Sequence, residues 1–192
     1  MSHITGEAGV PDDELARRAR LGDKQAFVTI VERHGPVVFR YARRMVGADD
    51  APDLTQETFA TAWVAIPGFR GDSAVRTWLL GIASNHVRHH RRSLARHPVA
   101  AWDGDEDERT TPVSRTPEAS PECQAVDDAF RTALESALAD LPPLQRACWV
   151  LRDVEGLGYA EIADVEHTSV AAVRGALHRA RTSLARRLEP WR

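Results

Sequence analysis

Apolar residues recur at three- and four-residue intervals through most of the chain, the spacing that gathers them on one side of an α-helix. Positions 12–96 read as helices throughout. Asp12 or Asp13 can cap a first helix that turns Leu15, Ala16 and Ala19 inward, and Gly22 ends it. A second carries Ala26, Phe27, Ile30 and Val31 and closes at Gly35. Pro36 suits the first turn of a third, whose apolar side is Val37, Val38, Tyr41, Ala42 and Met45, with Gly47 as its end. Pro52 starts a fourth with Leu54, Thr58, Ala62 and Ile66 on one side, beside Phe59 and Trp63. Gly68, Gly71 and Asp72 mark a loop, after which Trp78, Leu79, Ile82 and Ala83 open a fifth.

The same period returns near the other end. Phe130, Leu134, Ala137 and Leu138 form one short amphipathic helix, and the run LPP opens another with Leu144, Ala147, Cys148 and Leu151 at i, i+3, i+4 and i+7. Gly156 and Gly158 break the chain before a two-turn helix from Tyr159 to Glu166, with Ile162, Ala163 and Val165 inward. A tight connection through His167 leads to the cap Ser169 and a long helix buried along Val170, Val173, Leu177, Ala180, Leu184 and Leu188. Two helices joined this closely resemble a helix-turn-helix, whose second helix reads the DNA major groove. A three-helix bundle with a basic face fits the same pattern. The fold class expected is all-α, two small helical domains joined by a linker.

Charge locates that linker. The net charge of −3 divides into +3 over residues 1–100, −7 over 101–128 and +1 over 129–192. The acidic stretch holds Pro112, Pro117 and Pro121 and has no apolar period, as expected of a flexible solvated linker. The boundaries expected are a polar tail at 1–11, domains at 12–97 and 127–192, and the linker at 98–126. Two domains on a string suit a protein that touches two separated places at once. The 192 residues contain no apolar run of membrane-spanning length, and the opening MSHITGEAGV is too polar for a signal peptide, so a cytoplasmic protein without membrane insertion is expected. Cys123 and Cys148 make neither a disulfide framework nor a metal knuckle, and Cys148 falls on an apolar stripe as an inert thiol.

Candidate chemistry is confined to a few places. Asp53, Gln56 and Glu57 share one helix side at i, i+3 and i+4, which fits a solvated face as well as a docking one. From Ser84 to His97 there is no acid, but Arg88, Arg91, Arg92 and Arg96 occur with His86, His89, His90 and His97. A basic helix after an aromatic-bearing glycine loop suits single-stranded nucleic acid, guanidinium for phosphate and an aromatic for an unstacked base; a solvated basic helix has the same composition. His86, His89 and His90 have metal-ligand spacing, but no neighbouring sequence position supplies a carboxylate or thiol, and the arginines repel a cation. No metal or other cofactor is expected. No nucleophile–base pair, phosphate-cradling loop or paired carboxylates point to an enzyme. In the last helix Ala171, Arg174, Gly175 and His178 lie beside the buried stripe, Arg179 further round and Arg181 at its flank; arginine reads guanine edges, and small residues allow close approach.

Taken together the two halves resemble the extracytoplasmic function (ECF) sigma factors, bacterial RNA polymerase specificity subunits of the sigma-70 superfamily. DAPDLTQETFATAW is similar to the family's core-binding helix, FRGDSAVRTWLLGIASN to its loop and helix of promoter melting, and LPPLQRACWVLRDVEGLGYAEIA with VRGALHRAR to its final helix-turn-helix. The resemblance implies core polymerase binding by Asp53, Leu54, Gln56, Glu57 and Phe59. It implies capture of the minus-10 nontemplate strand by Phe69, Arg70, Ser73, Arg76, Thr77, Trp78, Asn85, Arg88, His89, Arg91 and Arg92, with a flipped base. It assigns minus-35 reading to Thr168, Ser169, Ala171, Ala172, Arg174, Gly175, His178, Arg179 and Arg181, and it implies an anti-sigma partner. A free-standing helix-turn-helix regulator is the alternative, though it has no need of the segment from Asp53 to Trp63. The sequence departs from the family at His167, where a turn glycine is usual, at Glu166, where the family has an apolar residue, and at Ala171–Ala172 and Gly175–Ala176. His89 stands at an aspartate position, which with its neighbouring histidines predicts minus-10 binding that strengthens as imidazoles take up protons.

Overall fold

Four helices build the first half. The computed structural model describes residues 9–96 and 121–191, and among these there are eight α-helices and no strand. They are α1 (Asp12–Arg20), α2 (Lys24–Val46), α3 (Ala51–Ala65), α4 (Val75–Arg96), α5 (Pro121–Ala139), α6 (Pro143–Trp149), α7 (Tyr159–Val165) and α8 (Val170–Arg187). The acidic run between α4 and α5 and most of the expected polar tail lie outside the described residues. The backbone of α5 begins at Pro121, inside the stretch expected as linker.

Two local expectations change. Pro11 is the residue before α1, so Asp12, Asp13 and Glu14 form the first turn, where acids oppose the positive end of the helix dipole. The helices expected to part at Gly35 and Pro36 are one, α2, with Pro36 inside. Proline there removes one backbone donor and crowds the preceding turn. Pro36 is on the exposed side, and Ile30, His34, Val38, Tyr41, Ala42 and Met45 continue a single buried stripe past it, so packing on both sides holds the helix together. Asp23 caps α2, accepting from the amides of Gln25 (3.0 Å) and Ala26 (3.1 Å).

In the second half α6 runs into a π-helical turn at Val150–Val154, and Gly156, with φ of 76°, reverses the chain toward α7. The turn between α7 and α8 is a Schellman motif: the amide of Thr168 donates to the carbonyl of Ala163 (2.9 Å) and that of His167 to Asp164 (3.2 Å). His167 takes the left-handed conformation (φ 50°) where glycine is usual. Ser169 caps α8 through the amide of Ala172 (3.1 Å), as its sequence position predicts.

The two halves do not stand apart. α7 packs on α4, α6 and the π-turn pack on α2, and one apolar cluster runs from Leu15, Ile30 and Leu79 to Leu151, Ile162 and Val173. A smaller cluster joins α5 to α8 through Leu138, Leu141, Ala180 and Leu184.

Candidate nucleic-acid and polymerase interfaces

The polar side of α3 is built by the mismatch between its two faces. Ala51, Leu54, Thr58, Phe59 and Ala62 turn into the core, which leaves Asp53, Gln56 and Glu57 on the surface. Leu54 and Phe59, expected to bind polymerase, are 4% and 9% exposed and pack into the core beneath the helix's polar side. Glu57 lies 3.4 Å from Nδ1 of His86, and Asp50 lies 3.1 Å from Nε2 of His90. Carboxylates therefore do reach these histidines, from α3 and the residue before it. They pair off separately, and among the described residues no three metal-ligating groups converge. His86 also meets the hydroxyl of Thr61 at 2.9 Å, while His89 alone of the three points to solvent.

The loop between α3 and α4 borders a cavity of about 510 Å³. Phe69, Arg70, Gly71 and Ser73 line one side, and α1 supplies Asp12, Asp13, Arg17 and Arg20 on the other. Phe69 is buried against the Trp78 ring, 4.9 Å between centroids, so it forms a wall of the cavity and not a free stacking platform. Arg70 is exposed and pairs with Asp72 at 2.9 Å. The contribution of α1 was missed in the sequence; the basic run RRAR was its signal.

Further along α4 the expected DNA-binding side chains meet acids of the second half. Glu155, fully buried, accepts from Nη2 of Arg76 at 2.9 Å and from Nη2 of Arg40 at 3.1 Å. Its backbone carbonyl also accepts from Arg76. Thr77 donates to Glu161 (2.8 Å), and Ser84 to Glu166 (2.8 Å). Arg88 reaches the Glu166 backbone carbonyl (3.1 Å) and sits 3.7 Å from its carboxylate. Tyr41, entirely buried, donates to the same carboxylate at 3.4 Å; burial and the adjacent Glu166 charge push its phenol well above the ordinary range. Arg88 also donates to the exposed Asn85, and Arg91 and Arg92 continue the basic side. So Arg76, Thr77 and Arg88 face the other half of the chain, whereas Asn85, His89 and Arg92 remain exposed. The charge pattern held a signal for this: residues 153–166 contain five acids and no base.

The outer side of α8 is open. Ser169, Ala171, Arg174, His178 and Arg179 are exposed, with Thr168, Ala172 and Gly175 half-buried beside them. The Arg174 guanidinium lies over the Tyr159 ring (5.6 Å), which Arg152 also approaches (5.0 Å). Arg179 folds over Gly175, where an added Cβ would come within 3.3 Å of its Nη1. Arg181 is held by Asp153 through two hydrogen bonds of 2.5 and 3.2 Å, so its charge is already engaged. Cys148 is buried, and burial pushes its thiol up to about 12, which keeps it inert.

This arrangement coincides with known sequence families. The Sigma-70 region 2 model matches residues 30–97, and the Sigma-70, region 4 model matches 131–184. The ECF RNA polymerase sigma-E factor of Haemophilus influenzae is 31% identical over 183 residues, covering 93% of this chain and 96% of that protein. The chain belongs to the ECF sigma factors. The Escherichia coli sigma-E factor is 33% identical over 181 residues, covering 93% of this chain and 95% of that one. Among solved structures, CnrH in complex with the cytosolic domain of CnrY is similar, with a TM-score of 0.68 and 30% identity over 93% of this chain and 97% of that one. The sigma factor RpoE in complex with the anti-sigma factor NepR from Bartonella quintana shares the fold, with a TM-score of 0.67 and 21% identity over 85% and 96%. As an ECF sigma factor the protein is an RNA polymerase specificity subunit acting in transcription initiation. Among the described residues no helix is long and apolar enough to cross a membrane.

Proposed function

We propose that this sigma factor divides promoter recognition between its two helical units, residues 12–97 and 127–192, with 98–126 as a tether in the cytoplasmic transcription machinery. Asp53, Gln56 and Glu57 dock on core polymerase. The cavity between α1 and the glycine loop receives an unstacked base of the minus-10 nontemplate strand, with Arg17, Arg20 and Arg70 at its edge. Arg76, Arg88, Arg91 and Arg92 take the adjoining phosphates. The exposed side of α8 reads the minus-35 duplex, Arg174 at the base edges and Ala171 and Gly175 permitting close approach. No step is catalytic. Control by an anti-sigma protein fits the likeness to CnrH, whose solved structure contains the cytosolic domain of CnrY.

The observation that carries this reading is the order of parts: an exposed polar helix side, a cavity-bearing loop with a basic helix, and a capped basic helix open to solvent, each inside or beside a matched sigma region. The test is binding of the labelled chain to bacterial core polymerase, then run-off transcription on genomic fragments. Replacing Gln56 and Glu57 by alanine is expected to weaken core association while leaving duplex binding by α8 unchanged. Tight duplex binding without any association with polymerase would make the protein a free-standing regulator instead.

A further inference from the structure

The arginines of α8 are held in two different ways. Arg181 and Arg187 each meet a carboxylate, that of Asp153 and that of Asp140. Arg174 meets an aromatic ring instead: its guanidinium carbon lies 5.6 Å from the centre of Tyr159, within the range at which a ring attracts a cation. The distinction matters for reading a base. A carboxylate occupies the N–H donors of a guanidinium, the same donors that a guanine edge needs, whereas a ring holds the cation and leaves those donors open. The positions three and four away from Arg174 on α8 are Val170, Ala171, Leu177 and His178, none of them an acid.

Tyr159 is well anchored for this purpose. It is the first residue of α7, half-buried, and follows Gly158, whose amide donates to Glu161 (2.8 Å) at the start of the helix. Arg152 lies over the same ring at 5.0 Å while its Nη1 donates to the carbonyl of Leu157 (2.8 Å), which ties the ring to the loop ahead of it. The Tyr159 hydroxyl does something separate: it adds to the upward shift of Arg181, whose first cause is the hydrogen bonding to Asp153. We propose that Tyr159 is a positioning residue for minus-35 recognition, its ring ordering the Arg174 guanidinium before DNA arrives. A long side chain that is already ordered loses less freedom when it meets a base. It also discriminates better, because a swinging guanidinium finds a phosphate or a wrong acceptor at little cost. The proposal rests on Arg174 as a base reader, and the test separates the two ideas.

Holoenzyme made from the full chain and bacterial core polymerase is titrated with a promoter duplex mapped by run-off, and with duplexes in which each minus-35 base pair is replaced in turn. Arg174→Ala identifies the base pair at which discrimination is lost. At that base pair Tyr159→Leu, which fills the space without a π face, is expected to lower discrimination about two- to fivefold, with the other base pairs and the salt dependence unchanged. Tyr159→Phe, which keeps the ring and loses the hydroxyl, is expected to discriminate there as wild type does. Added to Arg174→Ala, the leucine substitution is expected to change nothing further at that base pair. Full discrimination by a folded Tyr159→Leu variant would overturn the proposal. So would an equal loss on every duplex, which with a salt slope reduced by about one would make Tyr159 a phosphate contact. In the free wild-type chain the δ-protons of Arg174 are expected to be shifted upfield by the ring; unshifted protons would overturn the contact even if Tyr159→Leu failed to fold. If Arg174→Ala relaxes no base pair, the assignment of Arg174 to base reading is wrong and the positioning role falls with it.

Discussion

α4 and α8 are both basic helices assigned to promoter DNA, yet one is covered and the other open. On α4 the buried positions include Thr77 and Ser84, polar residues that survive burial because Glu161 and Glu166 accept hydrogen bonds from their hydroxyls. On α8 the buried positions, Val173, Ala176, Leu177, Ala180 and Leu184, are apolar, and the guanidinium groups lie outside. The difference teaches that a run of arginines says which ligand a helix prefers, while the tertiary structure decides whether that ligand has access. Here acids of residues 153–166 lie against α4, whereas on α8 Asp153 engages Arg181 and Asp140 engages Arg187, and Arg174, His178 and Arg179 stay exposed.

The comparison breaks most readily at the shared core. Leu151 is fully buried in the cluster that joins both halves, so Leu151→Ala is expected to cost about 2–5 kcal/mol of stability. Denaturant unfolding followed by hydrogen exchange should show α4 and α8 losing protection together; loss confined to α6–α8 would mean the halves are independent. Next in size, Arg174→Ala is expected to weaken minus-35 duplex binding by about 1–3 kcal/mol in an equilibrium titration while core association holds. Lost core affinity would misplace that residue.

A pH series sharpens the contrast in another way. Burial holds His34 below the ordinary histidine range, against the opposing pull of Asp12, whose carboxylate is 2.9 Å away. The unfolded chain takes up a proton first as pH falls. Stability is thus fully present above the unfolded histidine range and is lost as pH drops toward the lower folded value, with a slope of at most about 1.4 kcal/mol per pH unit. His34→Gln should flatten that slope in denaturation measured across the range. Smallest is the turn: His167→Gly relieves a left-handed backbone and is expected to add up to about 1 kcal/mol in thermal or denaturant unfolding, with minus-10 strand binding unchanged.

Much of the fold was legible because helical burial is periodic. The stripes through α1, α3 and α8, the cap at Ser169 and the inert Cys148 all follow from residue type and spacing. The join at Pro36 was not, since proline's local preference favours a break and the burial on both sides of it prevails. Leu54 and Phe59 fall on the apolar side that spacing predicts, while the family resemblance also assigns them to polymerase binding. A family motif mixes residues that touch the partner with residues that hold the helix in place, and burial separates them. Arg17 and Arg20 reach the cavity through the packing of α1 against the loop, a juxtaposition of distant chain segments that spacing does not encode.

The sequence by itself determined the all-α class, the family and the chemical character of each face, because side-chain periodicity and charge are local properties. Only the tertiary structure decided which of those faces is free. The pairing of Glu155 with Arg40 and Arg76 joins residues more than seventy positions apart, and such an encounter depends on how the two halves pack, where apolar burial brings them together and buried carboxylates must find cations.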